Sequence, residues 1–185
     1  MTEHAKLDDL YAALPHVLAA PKTGAPVQTL CTRPGYNKRV FPDRLKLSSS
    51  GGIEGDFEMR KPWLKLEDGS ADPRIQVSIL PSRILDLVWL DRENTIYPGD
   101  TIIADLDTSL HNLPAGTLLK IGTAVLRVSD LWNEGCAKWK VRYGREAYDF
   151  TAHPDHEVLR LRGILCSIEQ DGEIALGDLI ERVGP

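Results

Sequence analysis

Leu161-Arg162-Gly163-Ile164-Leu165-Cys166-Ser167-Ile168-Glu169-Gln170 runs into Asp171-Gly172, then into Glu173-Ile174-Ala175-Leu176-Gly177-Asp178 and Leu179-Ile180-Glu181-Arg182-Val183. The first run reads as a strand, because β-branched and apolar residues dominate it. Asp-Gly is a hairpin signal, since a tight turn between antiparallel strands needs positive φ at its centre. The remainder leads into a final strand over 179–183. The same pattern extends upstream. Strands are expected over 27–32, with Val27, Thr29 and Cys31 on one side, and over 40–47, with Pro42 at an edge. More follow over 75–80, 101–107, 118–122 and 124–129, the last two broken at Gly122. Helices are fewer. Leu7, Leu10, Tyr11, Leu14, Val17 and Leu18 recur at helical spacing over 3–20, with Pro15 expected to split that stretch. Pro81 opens a helix at 83–90 that buries Ile84, Leu85, Leu87 and Val88. Further helices are expected at 136–143 and 145–150, and a loop at 153–156. The fold class is mostly β: a closed or nearly closed β-barrel with a few peripheral α-helices, closure being the way such a sheet loses its exposed edges. An N-terminal helical segment, 1–21, packs on a barrel domain, 22–185.

With 185 residues, the chain has room for one sizeable core. Its net charge of −5 argues against nucleic acid as a partner. No apolar run approaches a membrane span. The cysteines, Cys31, Cys136 and Cys166, are odd in number and far apart, without a zinc spacing. Free thiols in a reducing, cytoplasmic setting are the expectation.

Two stretches carry chemistry. In Asn133-Glu134-Gly135-Cys136-Ala137-Lys138-Trp139-Lys140-Val141-Arg142-Tyr143-Gly144 one cysteine is followed by cations and aromatics. On a helix Trp139 and Tyr143 share one face, and Lys138 and Arg142 share another. Gly144 suits a helix stop. Cys136 falls at the helix start, where unpaired N–H groups and neighbouring cations favour thiolate, a nucleophile and a soft metal ligand. The second stretch is Ser48-Ser49-Ser50-Gly51-Gly52-Ile53-Glu54-Gly55-Asp56. Its glycines let the backbone approach a phosphate, and Asp56 is suited to fixing the loop by accepting backbone N–H bonds. It is neither a Walker loop nor GxGxxG. Residues 57–73 read as a polar excursion of the kind that is often functional. His153 and His156 read as surface residues rather than metal ligands.

The order of motifs is similar to that of a stand-alone MOSC domain, named for the C-terminal domain of molybdenum cofactor sulfurases. The motifs are Gly52-Ile-Glu-Gly55-Asp56, Asp72-Pro-Arg-Ile-Gln76, Pro98-Gly99-Asp100, Asn112-Leu-Pro-Ala-Gly116, Leu119-Lys-Ile-Gly122, Gly135-Cys136-Ala-Lys138-Trp, Arg142-Tyr-Gly144, Leu161-Arg162-Gly163 and Gly177-Asp178. The resemblance runs from about Lys22 to Ile180. It implies a pocket lined by the Gly-rich loop and the cysteine segment. It also implies that Cys136 carries a persulfide sulfur or serves as thiolate ligand to molybdenum. In the related amidoxime-reducing proteins the cysteine ligates the molybdenum cofactor (molybdopterin) and N-hydroxylated small-molecule substrates are reduced. The pterin phosphate would then meet Arg33, Lys38, Arg39, Arg74, Lys138, Arg142 or Arg162, with Lys138 and Arg142 first because they neighbour the thiol; Gly52, Gly55 and Asp56 would shape the loop. No flavin, haem or iron–sulfur signature accompanies these residues, so electrons are expected from a redox partner. The alternatives are a sulfur carrier loaded by a sulfur-donor protein and a non-catalytic barrel that binds an anion.

Overall fold

The computed structural model describes residues 3–57 and 60–184; residues 1–2, 58–59 and 185, at the expected segment ends and inside the 57–73 excursion, lie outside the described ones. The described residues include ten strands and four α-helices. The strands are β1 (Ala25–Leu30), β2 (Arg44–Ser48), β3 (Gly52–Ile53), β4 (Val77–Pro81), β5 (Ile102–Ala104), β6 (Leu118–Ile121), β7 (Ala124–Val128), β8 (Ile164–Gln170), β9 (Gly172–Ala175) and β10 (Leu179–Val183). The helices are α1 (Leu7–Leu18), α2 (Ser82–Val88), α3 (Ala137–Tyr143) and α4 (Arg145–Thr151).

Seven strands close a barrel in the order β1-β10-β6-β7-β8-β4-β5, and β5 pairs back onto β1. All neighbours are antiparallel except β4 and β5, where Ile79 stands beside Ile102. A parallel pair needs a crossover, and α2 supplies it. The expected mostly β barrel with peripheral helices is therefore the observed fold. Asp171-Gly172 does not close the expected hairpin: β8 pairs with β7 and β4 in the barrel, while β9 leaves it to pair with β2 in a separate sheet, β3-β2-β9.

Two apolar clusters explain the strand compositions. One fills the barrel with Val27, Leu30, Val77, Ile79, Ile102, Ala104, Leu126 and Cys166, among others. The second lies outside the wall, where Leu80, Ile103 and Cys31 meet Leu10, Ile84, Trp139, Tyr143 and Phe150 of the helices. Strands β4 and β5 are thus buried on both faces, which is why they read as nearly continuous apolar runs.

Several local expectations change. Pro15 does not split the first helix, which runs unbroken from Leu7 to Leu18. Proline removes one N–H there, and the packing of Leu10 and Val17 outweighs that loss. In β1 the register shifts between Val27 and Thr29. This bulge sends Leu30 inward and leaves Cys31 outside, so Val27 and Cys31 do not share a side. The expected 40–47 strand begins only at Arg44, with Val40 making an isolated bridge to Thr32. Pro154–Leu159 forms a 3-10 turn where a loop was expected, and His156 is buried against Phe150 rather than at the surface.

Gln76 joins the two sheets. Its buried side chain donates to the Ser49 carbonyl at 2.8 Å and accepts from the Ile168 N–H at 2.8 Å. Gln76→Leu leaves that N–H buried without a partner, so equilibrium denaturation should show a loss of about 1–3 kcal/mol. An unchanged midpoint and slope would show that the clip contributes nothing.

Candidate functional site

Helix α3 forms as its spacing predicts. Trp139 and Tyr143 lie on its buried face with ring centroids 4.6 Å apart. Gly144 ends it at φ 94°, a left-handed value that only glycine adopts freely, and α4 starts at the next residue. Cys136 occupies the cap position with extended φ and ψ, and its carbonyl accepts from Trp139 N at 2.9 Å. Its side chain makes no capping bond, and the thiol is exposed.

The other two thiols are buried. Cys31 lies in the outer cluster and donates weakly to the Thr32 carbonyl at 3.6 Å; Cys166 lies inside the barrel. Burial pushes the Cys31 thiol up to about 11 and the Cys166 thiol up to about 12. Burial likewise raises the phenols of Tyr97 and Tyr143 beside Cys31.

Beneath α3 lies an ion pair. Arg162, just ahead of β8, donates through Nη1 to Asp100 Oδ1 at 2.9 Å, with side-chain exposures of 10% and 3%. Its guanidinium carbon sits 4.2 Å from the centroid of the Trp139 ring. The Arg162 carbonyl accepts from Asn133 Nδ2 at 3.2 Å. One residue therefore holds both the helix that follows Cys136 and the loop that delivers it. Asp100 Oδ2, Arg162 Nε and Trp139 Nε1 are buried with no hydrogen-bond partner. Buried orphans are rare in native proteins, and a group of them in mutual contact marks a place for water or ligand polar atoms.

The 33–39 turn faces α3. Lys138 Nζ lies 5.1 Å from the Tyr36 ring centroid, and Lys61, from the 57–73 excursion, lies 5.8 Å from the same ring. Arg142 donates to Asn37 Oδ1 and to the Pro98 carbonyl, each at 3.2 Å. Arg39 reaches that same carbonyl at 3.2 Å and lies flat on Gly99. Gly99 has φ 96°, and a Cβ there would stand 2.7 Å from the Arg39 guanidinium. Burial and the nearby Arg142 lower the Arg39 pKa. The spacing expectation that Lys138 and Arg142 share a face holds: both reach the same turn.

The remaining expected residues divide. Asp56 accepts from the Arg33 backbone N–H at 2.8 Å and from its Nε at 3.1 Å, so it fixes the 33–39 turn. Phe57 follows it and lies 5.3 Å, centroid to centroid, from Tyr36. Gly55, at φ 81°, turns the chain into this arrangement. Gly52 instead lines a groove of about 340 Å³ on the small sheet with Lys46, Leu47, Ser48, Gly51 and Glu54. Cys136 does not line that groove. Arg74 is held by Asp72 at 2.7 Å and Asp130 at 3.1 Å, which raise its pKa, and it anchors the start of the loop that leads to Cys136. Lys38 contributes its carbonyl to Arg39. Sequence reasoning did not single out Tyr36, Phe57, Lys61 or Asp100 as site residues. The signals were an aromatic inside a cation-rich turn and the Asp that closes Pro98-Gly99-Asp100.

No family model matches the sequence, and no curated protein matches it. Solved structures do. The YuaD protein from Bacillus subtilis aligns with TM-score 0.59 and 21% identity over 84% of this chain and 93% of its own. YiiM from Escherichia coli aligns with TM-score 0.53 and 18% identity over 88% of this chain and 70% of its own. YiiM from Geobacillus stearothermophilus gives 0.51 and 14% over 86% and 75%. What these proteins share with this chain is the fold. Among the described residues, no helix is long and apolar enough to cross a membrane.

Two predictions concern the site. Asp100→Ala strands a buried guanidinium and should lower stability by about 3–5 kcal/mol; adding Arg162→Met should restore part of it, because no unpaired charge remains. Denaturation of the single and double variants checks this, and equal losses in both would refute the coupling. Iodoacetamide labelling read by mass spectrometry should modify Cys136 in the native protein and Cys31 and Cys166 only in denaturant. The buried thiols ionise from 9.0 in the unfolded chain but only near 11 and 12 when folded. The stability they add is therefore whole below pH 9 and is lost as pH rises towards those values. Native labelling of the buried pair, or stability that holds as pH climbs past 9, would contradict the assignment.

Proposed function

We propose that this chain is a MOSC-type protein that holds a molybdenum-pterin cofactor through the Cys136 thiolate. The carrying observation is that Cys136 is the exposed thiol of the three, and that it precedes a helix whose next cations face an aromatic turn. The donor set suits such a group. Among the described residues no cluster of three or more His, Cys, Asp or Glu side chains stands ready to grip a bare ion. A metal here would have to arrive with its other ligands in place, as it does on a pterin dithiolene, and accept one soft sulfur from the protein. The orphaned polar atoms of Asp100, Arg162 and Trp139 offer a polar neighbourhood beside α3.

In this reading Lys138 and Arg142 meet the phosphate of the cofactor, and Asp56 with Arg33 keeps the opposing turn in place. Arg162 positions the helix through Trp139. When bound, the cofactor would supply two-electron redox chemistry, and the resemblance points to reduction of N-hydroxylated small molecules with electrons from a redox partner.

A second reading is favoured by the exposure of the sulfur, which suits transfer between proteins: a carrier in which Cys136 takes one sulfur atom from a donor protein as a persulfide. The discriminating experiment is molybdenum per chain after expression in a molybdenum-replete host, beside Cys136→Ala. Stoichiometric metal that disappears in the variant supports cofactor binding. Absent metal with a mass gain of one sulfur on Cys136, after incubation with a sulfur donor, supports the carrier. Neither signal overturns both and leaves a non-catalytic anion-binding barrel.

A further inference from the structure

Most arginines outside the 33–39 turn are neutralised by a carboxylate: Arg44 by Glu173, Arg74 by Asp72 and Asp130, Arg83 by Asp105, Arg127 by Glu169 and Arg162 by Asp100. Arg33, within the turn, is held by Asp56 in the same way, but the other cations that converge on the turn behave differently. Among the described residues Lys61, Lys138, Arg142 and Arg39 have no carboxylate partner. The two arginines share one backbone carbonyl, that of Pro98. The two lysines share one ring, that of Tyr36. A cation–π contact orients an ammonium without using any of its N–H donors. Both ammonium groups thus keep their donors for something else, and Tyr36 is 64% exposed, so the place is open. Holding four positive charges together costs Coulomb energy that a multiply charged anion would relieve.

We infer that Lys61 and Lys138, preorganised on Tyr36, form a clamp for a phosphate or diphosphate group, with Arg142 and Arg39 behind it. The clamp brings Lys61, from the expected excursion, and Phe57, which lies against Tyr36, onto the binding face. A compact ammonium binds phosphate as a point charge, and a pair of them suits an oxyanion with more than one negative charge. The inference deepens the Cys136 reading, because Lys138 is two residues from the thiol. It does not depend on metal at that thiol. The anion can be the phosphate of a resident cofactor or that of a phosphorylated substrate.

The test is calorimetric titration of the whole protein with inorganic pyrophosphate at low ionic strength. Native protein, Cys136→Ala, the double variant Lys61→Gln/Lys138→Gln on each background, and Lys120→Gln are compared. Lys120 is an exposed lysine on the barrel strand β6, away from this turn. The double variant should weaken binding by roughly tenfold or more, as expected for losing charge-assisted hydrogen bonds. Lys120→Gln should change nothing, and added salt should weaken binding throughout. Binding to native and Cys136→Ala protein alike supports a clamp that serves a free phosphorylated ligand. Binding that appears only in Cys136→Ala supports a clamp already filled by the phosphate of a group held at the thiol. The clamp is overturned if neither protein binds pyrophosphate, or if the double variant binds like its parent. Because the readout is an anion and not molybdenum, failure of the clamp and failure of the Cys136 reading show up separately.

Discussion

The contact between Arg162 and the Trp139 ring, backed by Asp100, is the constraint on which the candidate site rests. A guanidinium removed from water is costly unless it is paired, and here the pairing comes from two directions at once. Asp100 supplies the charge, and the indole face supplies a surface that tolerates a cation without competing for its donors. The consequence is mechanical. Trp139 is on α3, Asn133 is on the loop ahead of it, and both are tied to the same residue at the start of β8. Cys136 lies between these two ties. Its backbone is held from both sides while its sulfur is left exposed.

The barrel explains why the site is on the outside. The interior is filled by side chains from all seven barrel strands, so no lumen is left for a ligand. The part of the wall that carries helices is the β1-β5-β4 side. Helix α3 is anchored there by Trp139 and Tyr143, each worth several kcal/mol of packing. Its opposite face is free to meet the 33–39 turn. The Gly-rich stretch is divided by the same geometry. Its first half forms the small sheet and a groove of its own, and its end, from Gly55 to Phe57, turns towards Cys136's helix.

The parts of this arrangement that were legible in the sequence are those set by short-range periodicity. The four-residue spacings of Trp139 with Tyr143 and of Lys138 with Arg142 describe a helix surface, and the structure realises both. The Gly144 stop follows from a backbone preference at a single residue, whereas Asp171-Gly172 marks a change of sheet and not the hairpin its residues suggest. The barrel class follows from the count and punctuation of strands. What escaped lies in contacts between distant segments. Arg162 and Asp100 are 62 residues apart, and Arg142 and Asn37 are 105 apart, separations that leave no local pattern. The β1 bulge escaped for a related reason. Alternation describes a regular strand, and one extra residue reverses every position after it. Pro15 shows the converse case, a strong local signal overruled by the burial of Leu10 and Val17.

Charge placement separates the structural cations from those available for chemistry. In a chain of net charge −5, carboxylates are plentiful enough to neutralise every arginine. Yet Arg39 and Arg142 are satisfied by a neutral carbonyl, and Lys61 and Lys138 by a neutral ring. Neutral partners fix the position of a cation without cancelling its field. Arg33 and Arg162, which have carboxylates, act as fasteners for the turn and for the helix. Two of the uncancelled charges, Lys138 and Arg142, are on α3, the helix that begins after the exposed Cys136. In the proposed reading, an anionic guest drawn to them would lie on the helix that begins after the exposed thiol.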